Sequence, residues 1–325
     1  MKRWMIIGGG GVFGIHLARH LLAAGVERVV GVGRNPLPAP EFTLRTGEGD
    51  PRFAFHQVHM THEPERLLRL AMREQPDVVV NFAALAAWLS WEDSWRYYDT
   101  NVVALARFAE GLMGQPWLKR FIQVGTSELY GSVTAPADET APLRPTSPYA
   151  VSKMAADLHM LSLASRGFPA MVIRPSNCYG EGQLFYRILP RAAWCARAGV
   201  RLPLEGGGTA RKSYMHADDL ARAIVLMARD GEVGKVYNAG PSDPVSIRDL
   251  VGIVARCTGV AFEDLVQEAP ARRGEDACYW LASGEIAKLG WSPRIHLEDG
   301  VQRVVDWVTA CFDRLPPPQP FVLRS

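Results

Sequence analysis

The chain has little of what marks an extracellular, membrane-spanning or nucleic-acid-binding protein. Only five of its 325 residues are cysteines, and no two of them form a Cys-x-x-Cys pair. This argues against a disulfide framework and fits a reducing cytoplasm. The net charge of +2 gives no reason to expect nucleic acid or a membrane surface as a partner. No apolar run approaches the roughly 18 residues that span a bilayer, so we expect a soluble globular protein.

A metal-binding signature is also lacking. His56, His59 and His62 recur at three-residue spacing, but no cysteine or acidic ligand completes a recognisable pattern. These histidines fall where a predicted strand passes into a loop, which scatters side chains instead of gathering them around an ion. We therefore predict that the protein binds no metal.

A glycine-rich turn stands at the start of the chain. The apolar run from Trp4 to Ile7 indicates a short strand, and glycines follow it at the spacing Gly-x-x-Gly-x-x-Gly before an apolar helix. Such a turn can be tight, and its backbone can approach a pyrophosphate that lies on the helix N-terminus. Ala83, a small residue after a later strand, should also let the backbone pass close to the dinucleotide. The pattern predicts a cofactor site that includes Gly8, Gly11, Val12, Phe13 and Gly14.

The end of the second predicted strand, Val29 to Val32, indicates which dinucleotide binds. NAD-binding folds usually place an acid about 20 residues after the glycines to hold the ribose 2′-hydroxyl, whereas NADP-binding folds remove the acid and supply an arginine. Gly33 stands at the acid position, and Arg34 follows it. The sequence therefore predicts NADP, and it leaves NAD open if Arg34 is only a solvated loop residue.

Two pairs of residues carry the expected chemistry. An apolar run ends at Val124, so Thr126 and Glu128 should lie at the carboxyl end of a strand, where open parallel sheets bind ligands. Tyr149 and Lys153 are four residues apart on a predicted helix, and they share one face of it. A lysine ammonium beside a phenol favours the phenolate, which lowers the tyrosine pKa from near 10 and makes a usable base.

These residues resemble those of the extended short-chain dehydrogenase/reductase superfamily, and within it the nucleotide-sugar 4,6-dehydratases. The resemblance covers nearly the whole chain. The strings Thr-Ser-Glu-Leu-Tyr-Gly at residues 126–131 and Ser-Pro-Tyr-Ala-Val-Ser-Lys at residues 147–153 are most similar to those of GDP-mannose 4,6-dehydratases. Related reductases, epimerases and decarboxylases of nucleotide sugars carry close variants.

The resemblance, with strands and helices alternating over the first half of the chain, implies an α/β fold. We expect a doubly wound parallel (Rossmann) sheet with a smaller C-terminal substrate-binding lobe. The dinucleotide-binding domain should cover residues 1–180 and about 214–240. The substrate-binding lobe should cover residues 181–213 and 241–325.

Two helices expected near residues 93–112 and 148–165 carry a further implication. Family members pack this pair into a dimer interface, so the resemblance implies a homodimer. Asn101, inside the first of these helices, matches a family asparagine that supports the helix and a proton-relay water. The alternative is that Asn101 is a tolerated polar residue in a helix interior.

The activity that the resemblance implies is the redox-neutral dehydration of a nucleoside-diphosphate hexose. Tyr149 would take the proton of the 4-hydroxyl while hydride leaves C4 for the nicotinamide, Lys153 would hold the nicotinamide ribose, and Thr126 would bind the 4-oxygen. Glu128 would then remove the C5 proton. Water would leave C6 with a proton from Glu128 or Ser127, and the hydride would return to C6. Glucose-type enzymes usually carry Asp where Ser127 stands, which favours a GDP-linked substrate.

Three further residues match family positions that bind the sugar nucleotide. Asn177 and Arg272 resemble diphosphate-binding residues. Lys212 occupies the position of an arginine that grips the nucleotide, although a lysine offers a point charge instead of a planar fork. The family's usual Asp near the adenine is replaced by His59, and its Ser-His pair near the sugar is replaced within the largely apolar segment 85–91. These departures predict a differently shaped sugar pocket.

Other functions stay open on the sequence alone. A 4-ketohexose reductase would use Tyr149, Lys153 and NADPH without needing Glu128. An epimerase of nucleotide sugars would recycle its cofactor, but it commonly has a hydroxyl or small residue in place of Glu128. A decarboxylase of UDP-glucuronate shares Thr-Ser-Glu, but it needs a carboxylate-binding arginine that no motif here supplies. A non-catalytic NADP sensor has little support while Thr126, Tyr149 and Lys153 are all present.

Overall fold

A computed structural model describes residues 1–86, 93–270 and 276–318 of the chain. Within these segments strands and helices alternate over the first half, as the sequence pattern predicts. The strands are β1 (Arg3–Ile7), β2 (Arg28–Gly33), β3 (Phe53–Gln57), β4 (Val78–Asn81), β5 (Arg120–Val124), β6 (Ala170–Pro175), β7 (Asn177–Tyr179), β8 (Leu202–Glu205), β9 (Arg211–Lys212), β10 (Tyr214–His216), β11 (Val236–Ala239), β12 (Val245–Ser246), β13 (Val266–Ala269) and β14 (Cys278–Tyr279).

Seven of these strands form one parallel sheet in the order β3-β2-β1-β4-β5-β6-β11. The predicted α/β fold with a doubly wound parallel sheet is confirmed. The strand order reverses between β1 and β4, and doubly wound folds bind dinucleotides in the crevice at the carboxyl ends of such a pair. The shorter strands pair with one another outside this sheet, as β7 with β10, β8 with β13, and β9 with β12 and β14.

The helices flank the sheet and fill the C-terminal part of the chain. A π-helical segment, Asp99–Ala104, continues one of them, so helical conformation runs from residue 95 to residue 111, close to the expected 93–112. None of the helices in the described residues is long and apolar enough to cross a lipid bilayer. The α-helices are α1 (Val12–Ala23), α2 (Pro40–Thr43), α3 (Pro64–Glu74), α4 (Trp95–Tyr98), α5 (Leu105–Gly111), α6 (Pro148–Ala164), α7 (Ile188–Ala198), α8 (Ala217–Asp230), α9 (Ile247–Thr258), α10 (Phe262–Leu265), α11 (Gly284–Lys288) and α12 (Leu297–Cys311).

Hydrophobic cores lie on both faces of the large sheet. Side chains of a strand alternate between the faces, so Trp4 and Ile6 of β1 enter one core while Met5 and Ile7 enter the other. The first core is closed by α1, α8 and α11, and the second by α3, α5 and α6. Because both faces are covered, the strands are apolar on both sides, as is typical of parallel sheets. The carboxyl ends of β1, β4 and β5 are thereby held in fixed register.

A third hydrophobic core lies among the C-terminal elements. Leu189 of α7, Val254 of α9 and Val304 of α12 are buried together in it. The division into a dinucleotide-binding domain and a substrate-binding lobe, with the boundaries given above, stays a prediction.

Candidate active site

The glycine turn after β1 is built around contacts that leave no room for side chains. The N–H groups of Gly8 and Gly9 both donate to the Val32 carbonyl, at 2.8 and 2.9 Å, which ties the turn to β2. A Cβ on Gly14 would lie 2.5 Å from the Gly8 carbonyl oxygen, and Gly8 itself has a φ of +85°. Side chains at positions 8 and 14 would force the turn apart.

Helix α1 begins at Val12, directly after this turn. Its N-cap residue is Gly11, and no side chain caps it. The first N–H groups of a helix have no partner inside the helix, so those of Val12, Phe13 and Gly14 are available to an anion that the helix dipole also attracts. A Cβ on Gly11 would meet only the Gly8 carbonyl oxygen, 3.3 Å away. The predicted residues therefore form a cradle that fits a dinucleotide pyrophosphate.

Ala83 lies against the glycine turn. Its N–H donates to the Ile7 carbonyl at 3.1 Å and to the side-chain oxygen of Asn81 at 3.2 Å. A Cβ on Gly8 would lie 2.9 Å from the Ala83 nitrogen. Ala83 therefore lines the crevice at the carboxyl ends of β1 and β4, where the strand order reverses. A residue beside the dinucleotide is expected at this place.

Arg34 follows β2 at the same edge of the sheet, and its side chain is exposed. Burial lowers the pKa of His59, and the charge of Arg34 contributes to the same lowering, so these two residues are neighbours. Phe55 was not predicted: its ring lies 3.0 Å from where a Cβ on Gly33 would stand. An acidic side chain at position 33 would have to displace this ring. Packing against Phe55 therefore explains the glycine at this position, in addition to the predicted preference for NADP.

Thr126, Ser127 and Glu128 follow β5 after a single residue, Gly125. The last two belong to a turn of 3-10 helix, Ser127–Tyr130, and Thr126 is its N-cap, with Oγ1 accepting the N–H of Glu128 at 3.2 Å. Burial raises the pKa of the Glu128 carboxyl group, and the positive charges of Lys212 and Arg187 oppose that rise. A raised pKa suits a carboxyl group that removes a proton and then donates one near neutral pH.

Helix α6 presents Tyr149 and Lys153 in its first turns. Ser147 caps the helix, and its Oγ accepts the N–H of Ala150 at 3.1 Å. The Thr126 side chain lies close enough to the Tyr149 hydroxyl to oppose the rise in the pKa of that phenol. The structure therefore brings together the predicted groups from β5 and α6, which are more than 20 residues apart in the chain.

The pKa of the Tyr149 phenol differs from the prediction. Burial, followed by the negative charge of Glu128, raises this pKa, whereas Lys153 was predicted to lower it. Lys153 instead donates to the Val124 carbonyl, with 2.5 Å between Nζ and the oxygen. The prediction of a lowered tyrosine pKa is wrong here because desolvation of the phenol outweighs the attraction of cations.

Lys153 is only 2% exposed. Burial lowers the pKa of its ammonium to about 8, against the charge of Asp157 one helical turn further on, which raises it. A buried lysine favours its neutral form for this reason. Lys153 can therefore change its charge near neutral pH.

Asn101 lies in the π-helical segment and joins three parts of the structure. Its Oδ1 accepts the N–H of Leu85 at 2.7 Å, and its Nδ2 donates to the Leu85 carbonyl at 3.2 Å and to Oγ of Ser152 at 2.9 Å. These bonds hold the loop after β4 against α6. The contacts support a structural role for Asn101, and the proton-relay water stays a prediction.

The predicted substrate-binding residues lie in short strands outside the large sheet. Asn177 begins β7, and its Oδ1 is buried with no hydrogen-bond partner among the described residues. Lys212 ends β9, with its ammonium 5.4 Å from the centre of the Tyr279 ring. Arg272 lies outside the described residues, as do residues 87–91 of the predicted apolar segment.

Arg187 was not predicted as a site residue. It directly precedes α7, is half-buried, and stacks on the ring of Tyr186 with 5.1 Å between its guanidinium carbon and the ring centre. Burial raises the pKa of both Glu128 and Tyr149, and the charge of Arg187 opposes that rise in each. Its only sequence signal is a lone arginine at the start of an apolar helix, and only the tertiary fold brings it to the active site.

One group of histidine and acidic side chains in the described residues comes close enough to hold a metal ion: His16, His216 and Asp218. The ring nitrogens are already engaged. Nδ1 and Nε2 of His16 bond to Asp218 Oδ1 at 2.6 Å and to the Glu181 carbonyl at 3.0 Å, and Nε2 of His216 bonds to Glu181 Oε2 at 2.9 Å. The group is a hydrogen-bonded network that joins α1 to α8, and the absence of a metal stays a prediction.

The site combines a seven-stranded parallel sheet, a glycine cradle where the strand order reverses between β1 and β4, and a group formed by Thr126, Tyr149 and Lys153, called here the Thr-Tyr-Lys cluster. This combination defines a Rossmann-fold protein of the dinucleotide-dependent class. The family model described as "NAD dependent epimerase/dehydratase family" matches residues 4–240. The chain belongs to this family.

Similar proteins narrow the class further. The chain is 32% identical to the dTDP-glucose 4,6-dehydratase of Streptomyces griseus, over 93% of each chain. It is 27% identical to a trifunctional UDP-glucose 4,6-dehydratase, 3,5-epimerase and 4-keto-L-rhamnose reductase of Arabidopsis thaliana, and it spans about half, 47%, of that protein's length and 95% of its own. The solved dTDP-glucose 4,6-dehydratase of Streptomyces venezuelae, which contains NAD, has a TM-score of 0.90 and 28% identity over 97% of this chain and 99% of that one.

These comparisons confirm the resemblance to extended short-chain dehydrogenases/reductases of the nucleotide-sugar 4,6-dehydratase type. The GDP-linked substrate that Ser127 favoured is not supported, because the relatives named here act on dTDP-glucose and UDP-glucose. NADP is not shown either, since the solved relative contains NAD.

Proposed function

We propose that the protein is a nucleoside-diphosphate-hexose 4,6-dehydratase that reuses its nicotinamide dinucleotide in each turnover. The observation that carries this proposal is the meeting of Thr126 and Glu128, at the end of β5, with Tyr149 and Lys153 on α6. Oxidation or reduction at C4 needs only the hydroxyl, the phenol and the lysine. The additional carboxyl group of Glu128, whose pKa burial raises, is what an elimination across C5 and C6 requires.

Each side chain would then perform one task. The nicotinamide, when bound, would take a hydride from C4 and return it to C6. Thr126 and Tyr149 would hold the 4-oxygen, and Tyr149 would remove the 4-hydroxyl proton while Lys153 holds the nicotinamide ribose. The 4-ketone makes the C5 proton acidic, and Glu128 would remove it. Water would leave C6 with a proton from Glu128 or Ser127, and C5 would take up a proton as the hydride adds to C6.

The substrate that we propose first is dTDP-glucose, because the Streptomyces relatives carry that substrate in their names. UDP-glucose follows from the Arabidopsis relative. Asn177 would bind the diphosphate, since the unpartnered end of its buried amide is a position that a ligand could complete. Lys212 would supply a positive charge to the nucleotide, and Arg272 is proposed on the resemblance alone.

We also propose the two-lobed organisation, with the sugar nucleotide between the lobes. Asn177, Lys212 and Arg187 all lie outside the large sheet, whereas the glycine cradle and the Thr-Tyr-Lys cluster lie at its edge. A ligand that contacts both groups has to bridge them, and clefts between lobes are common sites for such ligands.

The proposed function is tested by incubating the protein with dTDP-, UDP-, GDP- and CDP-hexoses and following the product by mass. We expect loss of one water from dTDP-glucose with no added reductant. A product that gains two hydrogens, formed only with NADPH, would identify a 4-ketohexose reductase. A product of unchanged mass but altered retention would identify an epimerase, and either result would replace the dehydratase assignment.

The exposed Arg34 and the glycine before it favour NADP, and this preference stays a prediction. We expect Arg34→Ala to weaken NADP binding by about 10- to 150-fold, because a charge-assisted hydrogen bond to the 2′-phosphate is worth about 1.5 to 3 kcal/mol. NAD binding should be unchanged. Dissociation constants from calorimetry measure both. Arg45→Ala, another exposed arginine, should change neither. Tighter binding of NAD than NADP by the native chain would contradict the prediction and would match the solved relative.

A homodimer is proposed on the resemblance and on one apolar surface. Trp95, Tyr98 and Val103 on the helix of residues 95–111 are 63%, 37% and 49% exposed, and Leu158 on the adjacent α6 is 50% exposed. A second copy of the chain would cover these side chains. We expect Leu158→Glu to halve the mass measured by light scattering, whereas Val200→Glu, at an equally exposed position after α7, should not. A monomeric native chain would contradict the proposal.

A further inference from the structure

The loop that follows β5 and carries Thr126, Ser127 and Glu128 is called here the catalytic loop. Beneath it lies a buried ion pair that no step above uses. Asp157 on α6 accepts a hydrogen bond from Arg174 on β6, with 3.0 Å between Oδ2 and Nε. The two side chains are 0% and 3% exposed. Taking two opposite charges out of water costs several kcal/mol per ion, and their attraction often does no more than offset this cost. A pair buried this deeply therefore points to a role besides stability.

The pair continues into a chain of neutral partners. Nη1 of Arg174 donates to the Tyr130 hydroxyl at 2.9 Å, and that hydroxyl donates to Oδ1 of Asn238, also at 2.9 Å. Nδ2 of Asn238 donates to the Ala137 carbonyl at 3.0 Å. These bonds join β6 and β11 to the 3-10 turn after β5. Arg174 is fixed from both ends, and its guanidinium in turn fixes the carboxylate of Asp157.

The pair touches the catalytic loop, and the charge of Asp157 acts on Lys153. A Cβ on Gly125, where the catalytic loop begins, would lie 2.8 Å from Oδ2 of Asp157 and 3.1 Å from Cγ of Arg174, so the loop rests directly on the pair. Lys153 lies one helical turn before Asp157 and bonds to the Val124 carbonyl. The ion pair therefore supports the loop that carries Thr126, and its carboxylate lies one helical turn from Lys153, which bonds to the residue before that loop.

The second carboxylate oxygen of Asp157 accepts no hydrogen bond from the described residues. Oδ1 is buried and has no partner in the described part of the chain. Burial raises the pKa of this carboxyl group, and the charges of Arg174 on β6 and Lys153 on its own helix oppose that rise. Tyr149, on the same helix, also feels the charge of Asp157. Burial lowers the pKa of Lys153 to about 8, and the charge of Asp157 is what opposes that lowering.

We propose that Asp157, held in place by Arg174, is the counter-charge that keeps Lys153 protonated on the Val124 carbonyl, which makes both residues positioning residues for the reaction. This deepens the proposed dehydratase function and rests on it. Without the carboxylate, the buried ammonium gives up its proton at lower pH, and the positive charge on the Val124 carbonyl beside the catalytic loop is lost.

The pH dependence of the rate reports on this arrangement. The Tyr149–Lys153 pair can lose one proton in two ways, as a phenolate beside an ammonium or as a phenol beside an amine. The two arrangements hold the same number of protons, so pH does not change their ratio. The rate therefore follows the total amount of the pair that has lost one proton. We expect kcat/KM for water release to rise with pH and to level off near pH 8, where Lys153 titrates.

Three variants test the proposal. Asp157→Asn should move the levelling-off to lower pH by about one unit and lower the plateau rate, because the remaining proton then stays on the phenol. Asp157→Glu keeps the charge and should restore the levelling-off towards the native pH. Tyr130→Phe is the matched control, since it removes a hydrogen bond from the same network but no charge, and it should not move the levelling-off. If Asp157→Asn does not fold, the double variant Asp157→Asn/Arg174→Gln also removes the guanidinium that would otherwise lose its partner, and it should still show a downward move.

A second readout needs no substrate. The unfolded chain binds more protons than the folded chain between about pH 8, where Lys153 titrates when folded, and its unfolded value of 10.5. The stability of the native chain relative to Lys153→Met should therefore rise across this window. In the Asp157→Asn background the rise should begin at lower pH. Urea unfolding at a series of pH values measures both.

The outcomes separate the two proposals. The counter-charge role is overturned if the levelling-off and the rise in stability keep their native pH in Asp157→Asn, or if Tyr130→Phe moves them as far. If the native chain releases water from no sugar nucleotide while the stability window still moves, the dehydratase proposal fails and the role of Asp157 stands.

Discussion

Tyr149→Phe should lower kcat for water release by about 10³-fold and leave dinucleotide binding in place. The variant removes the hydroxyl that faces Thr126 and keeps the ring, so the packing of α6 changes little. Burial and Glu128 raise the pKa of this phenol, and a protonated phenol must lose its proton before it can act as a base. We therefore expect the native rate to rise with pH through neutrality, and a variant without the hydroxyl to lose that rise together with its activity.

The control for this prediction is Tyr97→Phe. The ring of Tyr97 stands edge-on to the ring of Tyr149, with 6.3 Å between their centres. Tyr97 is a core residue that is only 2% exposed. Its hydroxyl has no part in the proposed chemistry, so this variant should keep its rate within a few-fold. Circular dichroism checks that both variants fold. Comparable rates for Tyr149→Phe and Tyr97→Phe would remove the phenol from the mechanism.

Glu128→Gln should block the elimination by about 10² to 10⁴-fold while sparing oxidation at C4. The amide has the shape of the carboxylate, but it can neither accept the C5 proton nor donate one to the departing water. In a single turnover we expect the 4-ketohexose that still carries its 6-hydroxyl, which can be trapped chemically and identified by mass. The raised pKa of Glu128 also predicts that the native elimination step is fastest where part of the enzyme has this carboxyl group protonated.

Ser127→Ala separates the two candidates for the acid that protonates the departing water. Ser127 is 3% exposed and directly precedes Glu128. If Glu128 serves as both base and acid, Ser127→Ala should retain elimination within about tenfold. Normal water release by Glu128→Gln, with a large loss in Ser127→Ala, would reverse the assignment.

The parts of the site that could be predicted from the sequence are those that local chemistry decides. The glycines at 8, 11 and 14 and the spacing of Tyr149 and Lys153 depend on one turn and one helix each. Parallel strands then bring their carboxyl ends to one edge, so the meeting of Thr126 with Tyr149 follows from the fold class. The alternation of strands and helices along the chain was enough to place these elements.

The rest of the site depends on tertiary contacts that no local pattern reports. Arg187 acts on the pKa of Glu128 and of Tyr149 only because the fold brings the residue before α7 near them. The ring of Phe55 explains Gly33 only once β3 lies against β2. The direction of the Tyr149 pKa shift was predicted wrongly for the same reason. Burial sets it, and burial is a property of the whole fold.

The central claim is that one active site oxidises C4, eliminates water and returns the same hydride to C6. It is tested most directly with dTDP-glucose that carries deuterium at C4, incubated with the protein and unlabelled cofactor. The account predicts a 4-keto-6-deoxy product with the deuterium at C6, formed without added reductant. A product that carries no deuterium at C6, or whose formation needs an equivalent of NADPH, would contradict it.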